Sequence, residues 1–570
     1  MANITIDGKK FTVKDGITII EAIDEAKIDL PRYCYHPGLS IAGNCRICQV
    51  EVEKMPRTVI ACNTRVAEGM VISTRSQKAK ESQQVVLEFL LVNHPLDCPV
   101  CDQSGECKLQ DYYMEYGLYD PKFNENKVKK AKKAKFIGPT VTPSPVWPAN
   151  AGRFTKDESL QTGGGVMLDQ ERCILCSRCV RFTDEITKTH ELGIFNRGDH
   201  AEVDIYPGQE LSNKYSGNVV DICPVGALTD KDFRFKMRVW YLGSQESVCP
   251  GCSRGCNIDI HFENSRPYHL KHERIMRLKP RENLEVNQWW ICDEGRYNYK
   301  FIDFNRLKQV KTPGFTSAAE TNGVMGDAIW KEAVGQIAQF LKSSPSAERW
   351  ACLASPQYTN EELYLVKRIF KDGLKFKNIA FKAPGQEGYE DQFLMKKDKN
   401  PNSSGASAIL KLDQTAADLT PLIEKAKRGE LDGLFIFHHD LAKIFGQGIL
   451  NVIRQKVKVI IYEGPNENAT AASADFVVPS AAYAEKEGTF TNFEGRVQRI
   501  RKAVEPLANS RPTWKILSDL GVLLGFFPAY QKPEDIFDDL AKENEAFREL
   551  SYKKLGKGGV VWHKKGNPSS

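Results

Sequence analysis

No stretch of this 570-residue sequence stays apolar long enough to span a bilayer. A helical span needs ~18–20 largely uninterrupted apolar residues, and the longest candidate, Ile516 to Phe527, is broken by Ser518 and Asp519. Any membrane association is therefore expected to come through partner subunits. The N-terminus, Met-Ala-Asn-Ile-Thr-Ile-Asp-Gly, lacks the basic-then-apolar order of a secretory signal, so retention in the cytoplasm is expected. Gly-x-Gly-x-x-Gly and Walker-type loops are also missing, and the chain alone is not expected to bind NADH or a nucleotide. There is no internal repeat at a fixed period and no extended low-complexity tract. Cysteine is almost absent from the second half: after Cys292 only Cys352 remains.

What is present is a soluble composition, 41% hydrophobic and 27% charged, in a chain too long for one core. The net charge of +6 is small for this length, and its one local excess is the run Lys127 to Lys135. That run reads as a solvated linker or a contact for an acidic partner face; no basic stripe with interleaved aromatics points to nucleic acid. Sixteen cysteines in a chain expected to stay in a reducing compartment favour metal ligation over disulfides. Fifteen of them precede residue 293, which places the metal chemistry in the N-terminal half.

Residues 3–13 alternate around Asp7-Gly8 as a β-hairpin, and residues 17–28 set Ile19, Ile20, Ile23 and Ala26 at helical spacing before Pro31 and a cysteine loop. This order predicts a small ferredoxin-like unit. A second helix is expected over 76–93, with Val85, Val86, Phe89, Leu90 and Val92 as its apolar residues, stopping before His94-Pro95. Residues 121–165, rich in Lys, Pro and Gly, read as an irregular connection. Beyond 300, strands at Trp350–Leu353, Gly433–Phe437 and Val457–Tyr462 alternate with helices at 360–371 and 417–428, which predicts a parallel sheet covered by helices.

Four cysteine groups carry the chemistry. The first, Cys34, Cys45, Cys48 and Cys62, has a close pair flanked on each side, as in plant-type ferredoxins that hold a two-iron two-sulfur cluster. Gly38, Gly43 and Asn44 are expected to let that loop wrap closely and aim backbone donors at the sulfur atoms. The second is His94, Cys98, Cys101 and Cys107, three thiolates and an imidazole able to complete a four-iron four-sulfur cluster. The third, Cys173-x2-Cys176-x2-Cys179 with a distant Cys223-Pro224, has the bacterial-ferredoxin spacing. Thr183 stands where a fourth closely spaced cysteine would serve a second cluster, so one cluster is expected there. The fourth, Cys249, Cys252, Cys256 and Cys292, fits a four-iron site on a loop closed by a returning strand. Structural zinc competes with the first, second and fourth groups on ligand type alone. Cys352, in the strand Ala351-Cys352-Leu353-Ala354, reads as a small buried hydrophobe.

These four groups in this order resemble the family of large iron-sulfur subunits of respiratory complex I, NADH:quinone oxidoreductase. Beyond them, Ser355 to Leu363, Ala474 to Pro479, Glu485 to Asn492 and Glu494 to Gln498 resemble segments of the molybdopterin oxidoreductase superfamily. The resemblance implies a multidomain α+β and α/β chain. Its parts are a β-grasp 2Fe-2S ferredoxin-like domain over 1–78, a His/Cys3 4Fe-4S module over 79–118, a bacterial-ferredoxin-like 4Fe-4S module over 165–235, a molybdopterin-oxidoreductase-type 4Fe-4S module over 242–298, and a degenerate molybdopterin-oxidoreductase-like α/β domain over 299–570. It implies one 2Fe-2S and three 4Fe-4S clusters and no molybdopterin. Electrons would arrive from an NADH/FMN-binding subunit, enter at the first group, move to the third and then the second, and leave through a ferredoxin-like two-cluster subunit toward quinone. The fourth cluster would lie off that path. The implied location is the cytoplasmic face of the bacterial inner membrane, peripheral, within the complex. Two relatives compete with this reading. A cytoplasmic formate dehydrogenase would carry a metal-ligating cysteine that Leu374 to Leu410 lack, and the electron-transfer subunit of an NAD-reducing hydrogenase would usually lack the long C-terminal region.

Overall fold

The computed structural model describes residues 1–120, 122–127, 134–138, 165–264, 273–316, 324–343, 346–413 and 415–562. Most of the 121–165 connection and of the basic run lies outside these residues. The two ends of the run are described: Lys127 Nζ donates to the Leu91 and Val92 carbonyls at 2.7 and 2.9 Å, and Lys135 pairs with Asp204. The chain forms two compact units, one holding Met1–Val141 and Gly164–Tyr241, the other built on Leu242–Ser570. Among the described residues no helix is long and apolar enough to cross a membrane.

The first unit opens with the hairpin β1 (Ala2–Ile6) and β2 (Lys9–Val13). Asp7 and Gly8 both take positive φ, 47° and 78°, the two left-handed positions that a tight two-residue turn requires. Thr18 and Glu21 cap α1 (Ile19–Glu25) reciprocally, and Ile19, Ile20, Ala22 and Ile23 bury its apolar face. With β3 (Gln49–Val52), β4 (Val59–Ile60) and β5 (Val71–Ser73) the sheet order is β2-β1-β5-β3-β4, a β-grasp arrangement with β1 and β5 parallel. Helix α2 (Gln77–Val92) ends at its cap Asn93, before His94-Pro95, as the sequence predicts. Ala79, Gln83 and Leu87 are buried, whereas Phe89 is 76% exposed and Leu96 just beyond the helix 85%. Apolar content alone could not tell a core face from one turned outward.

In the second unit, strands β6 (Leu242–Val248), β7 (Asn257–Glu263) and β8 (Ile275–Pro280) form an antiparallel sheet. The larger sheet has parallel strands β9 (Trp350–Leu353), β10 (Asn378–Ala380), β11 (Gly433–Phe437), β12 (Val459–Gly464) and β13 (Phe476–Pro479). Their order is β13-β12-β11-β9-β10, the flavodoxin-like 2-1-3-4-5 pattern, extended by a short antiparallel edge. Cys352 lies fully buried in the interior strand β9, next to the edge strand β10. The expected helices are present as Asn360–Val366, continued by a π-helical turn Lys367–Gly373, and Thr420–Lys427.

Candidate iron-sulfur sites

The loop after α1 carries Cys34, Cys45 and Cys48, the 3-10 turn after β4 adds Cys62, and the four sulfurs come together there. Cys34, Cys48 and Cys62 are buried, and the Cys34 amide donates to Cys45 Sγ at 3.4 Å. Gly43 takes φ +62°, as a tight wrap needs. The Asn44 backbone donates to the Cys34 sulfur, as expected, while its side chain donates to the Leu175 carbonyl in the third cysteine loop. The Gly38 amide goes elsewhere, to His36 Nδ1.

His94, Cys98, Cys101 and Cys107 line one cavity of about 300 Å³ together with Arg172 and Gly226. Burial pushes the His94 imidazole down to about 4, so it stays neutral with a nitrogen lone pair available to a metal. Cys98 is exposed, which brings this site to the surface. A Cβ on Gly226 would lie 2.2 Å from Cys101 Sγ, so only glycine leaves room for the sulfur.

Cys173, Cys176, Cys179 and Cys223 line a cavity of about 350 Å³. Leu175 and Ser177 adopt left-handed backbone, φ 54° and 60°, to turn the chain between the sulfurs. Burial pushes Cys223 up to about 12, so a metal has to displace a proton there. Thr183 is fully buried with its hydroxyl on the Val180 carbonyl at 2.9 Å, a core role at the position that lacks a further cysteine.

Cys249, Cys252, Cys256 and Cys292 surround a cavity of about 310 Å³. Cys249 follows β6, Cys256 precedes β7, and the Cys249 amide donates to the Cys256 carbonyl at 2.8 Å. The chain returns to Cys292 at a helix N-terminus, where its sulfur accepts from the Gly295 amide at 3.3 Å, and not on a strand as the spacing suggested. Burial pushes Cys249 up to about 12. The buried pair Lys399–Glu294, 3.1 Å apart, lines this cavity.

The sites in the first unit adjoin one another. Val225 and Ala227 line the third cavity while Gly226 between them lines the second, so one backbone segment is shared by both. Arg178 donates to the carbonyls of Tyr35 and Ile222, and Arg181 to those of Cys34, Ser40 and Cys176, which joins the first loop to the third. Sequence reading missed Arg172, Arg178, Arg181 and Gly226. The available signal was local: Arg172 and Arg178 each immediately precede a cysteine.

Family models match in the order of these sites: a 2Fe-2S iron-sulfur cluster binding domain over 1–77, an NADH-ubiquinone oxidoreductase-G iron-sulfur binding region over 83–122, and an NADH-quinone oxidoreductase subunit 3 ferredoxin-like domain over 163–229. A molybdopterin oxidoreductase Fe4S4 domain over 244–303 and a molybdopterin oxidoreductase domain over 391–522 follow. The G subunit of NADH-quinone oxidoreductase from Rickettsia conorii is 28% identical over 96% of this chain and 92% of that one. Its counterpart from Rickettsia bellii is 29% identical over 96% and 90%. The mitochondrial NADH-ubiquinone oxidoreductase 78 kDa subunit of Neurospora crassa is 30% identical over 96% and 83%. A chain from the NAD+-reducing [NiFe]-hydrogenase in its H2-reduced state covers only 42% of this one, and 91% of its own length is matched, at 24% identity and a TM-score of 0.33, too slight a likeness to bear on fold or function. With the cysteine groups, the domain order and near full-length similarity in agreement, the chain belongs to the family of NADH-quinone oxidoreductase G subunits, the iron-sulfur electron-transfer subunits of that enzyme.

Proposed function

We propose that the chain relays electrons through three clusters of its first unit, in the order first, third, second group, from an NADH/FMN-binding subunit toward a ferredoxin-like two-cluster subunit and quinone. The observation that carries this reading is the adjacency just described: Arg178 and Arg181 join the first loop to the third, and Val225–Ala227 is common to the third and second cavities. Cys34, Cys45, Cys48 and Cys62 would hold a 2Fe-2S cluster. His94, Cys98, Cys101 and Cys107, then Cys173, Cys176, Cys179 and Cys223, then Cys249, Cys252, Cys256 and Cys292, would hold one 4Fe-4S cluster each. When bound, the clusters supply one-electron redox capacity; the protein fixes their spacing, ligand charge and exclusion of water.

The ferredoxin-type spacings of the first and third groups favour iron-sulfur clusters over zinc. The exposed Cys98, with Phe89 and Leu96 nearby in the chain, supports an exit to the acceptor subunit at the second group.

The fourth cluster has a structural role in this reading. Its loop is bound into the C-terminal unit by Gln498 Nε2 on the Gly255 carbonyl at 3.0 Å and by the Ser253 amide on the Asp398 carbonyl at 2.9 Å. Molybdopterin is not expected. An open α/β sheet takes its ligand at the switch point between its first and third strands. Here that place, between β9 and β11, is bridged by His439 Nε2 on the Ala354 carbonyl at 2.6 Å, beside buried Tyr358 and Glu463. The complex would sit on the cytoplasmic membrane face through partner subunits. Freeze-quenched electron paramagnetic resonance of the assembled complex after NADH addition tests the relay. Reduction of the first-, second- and third-group clusters within turnover, with the fourth left behind, supports it; three clusters that NADH leaves oxidised would refute it.

A further inference from the structure

We propose that Arg178 is a shared positioning and tuning residue for electron transfer between the first- and third-group clusters, with Arg181 as its second. The inference rests on the relay proposed above and adds the groups that couple two of its stations. Arg178 lines the cavity bordered by Cys173, Cys176, Cys179 and Cys223. One guanidinium nitrogen, Nη1, donates to the Ile222 carbonyl at 3.0 Å, beside Cys223, and Nη2 donates to the Tyr35 carbonyl, beside Cys34. Its third donor, Nε, is buried and has no partner in the protein. A buried unpaired donor is costly, and in a wall of this cavity a cluster sulfur is a natural acceptor for it.

Arg181 repeats the pattern at the other edge. It donates to the carbonyls of Cys34 and Ser40 in the first loop, and to that of Cys176 at 3.4 Å in the third. Two fixed cations therefore hold two cluster loops by backbone carbonyls that cannot ionise. Arginine is suited to this because its planar fork serves several acceptors at once and stays charged.

The electrostatic consequence has a sign. Reduction adds one electron to a cluster, so a nearby cation favours the reduced form and raises the potential. Arg178 lines the third-group cavity itself, whereas it reaches the first loop only through the Tyr35 carbonyl, beside Cys34. It therefore raises the third-group potential more than the first and biases transfer forward. In that step the first-group cluster is oxidised by one electron and the third-group cluster reduced by one, and no covalent bond forms or breaks.

The test is a redox titration, followed by electron paramagnetic resonance, on the assembled complex carrying Arg178→Gln, Arg178→Lys or Arg181→Gln. Arg178→Gln is expected to shift the reduced-to-oxidised ratio of the third-group cluster at fixed potential about tenfold toward oxidised, ~59 mV for a one-electron couple, and that of the first by less. Arg178→Lys keeps the charge and should recover most of that shift, while losing the fork slows NADH-driven reduction of the third group. If Arg178→Gln fails to assemble the third cluster, Arg181→Gln decides, since Arg181 does not line the cavity: a fall in the first-group potential supports the proposal. Full-intensity signals with unmoved potentials in the assembled variants would overturn it. A wild-type complex lacking reducible first- and third-group clusters would instead refute the relay itself.

Discussion

Replacing Gly226 by alanine tests the second site through one methyl group. The added Cβ would lie 2.2 Å from Cys101 Sγ and 3.2 Å from Gln103 Cβ, with Arg172 Cδ at 3.7 Å. Ordinary contact for such atoms is ~3.5–4.0 Å, so sulfur and methyl must separate by more than about 1 Å. Ligand distances in metal sites hold to within about 0.2 Å, and a displacement this large is incompatible with Cys101 remaining a ligand in place. Overpacking of this kind costs about 1–3 kcal/mol, which a chain of this size absorbs without global unfolding. The expected product is a folded protein lacking the second-group cluster: iron falls by about four atoms per chain, as one four-iron cluster requires, and the signals of the other groups persist. Gly448→Ala, with nothing within 4 Å of the new methyl, is the control and should retain full iron. A Gly226→Ala protein with wild-type iron content and an unaltered second-group signal would refute Cys101 as a ligand there.

Three further outcomes are expected. His94→Cys exchanges a neutral ligand for a thiolate, so the second-group potential should fall by on the order of 100 mV; an intact cluster at its old potential would remove His94 from the ligand set. Glu485→Ala strips the partner from Arg306, to which it is bound by two bonds of 2.8 and 2.7 Å in full burial. Loss of about 3–5 kcal/mol is expected from the C-terminal unit, and hydrogen exchange confined to that unit should rise; protection unchanged there would contradict the assignment. Burial pushes Glu463 up to about 7, so its neutral form is the one the fold favours and its contribution to stability is lost as pH rises through 7. Glu463→Gln cannot ionise and should stabilise the C-terminal unit by about 2 kcal/mol more at pH 8 than at pH 5, seen in denaturant melts; a pH-independent difference would show that Glu463 does not carry the charge.

The local signals read well where one residue fixes one geometry. Asp7-Gly8 makes the opening turn, Ser76 and Asn93 bound α2, and the switch from cysteine loops to strand-helix alternation near 300 separates cluster chemistry from a doubly wound sheet. The cysteine spacings brought together the second, third and fourth groups around three cavities, and the four sulfurs of the first group beside one another. Long-range placement was not legible. Which side of α2 is inward depends on a packing partner distant in sequence, and the apolar residues expected in it include Phe89, which is exposed. Gly226 is far along the chain from Cys101, the sulfur it accommodates, and no local pattern marks it. The C-terminal segments that resemble a cofactor-binding superfamily supply buried framework here: Lys486 bonds Glu362 at 2.7 and 2.8 Å, and Asn360 bonds Thr489 and Thr491 at 2.9 and 3.0 Å. Such motifs report ancestry of the fold, and only the contacts reveal what they now do.

The most direct test of the cluster assignments is low-temperature electron paramagnetic resonance on the anaerobically purified, dithionite-reduced protein, with iron, zinc and molybdenum quantified in the same sample. One two-iron signal, several four-iron signals and no molybdenum are predicted. Zinc without reducible iron would contradict the cluster assignments, and stoichiometric molybdenum would contradict the expectation that the C-terminal domain holds no molybdopterin.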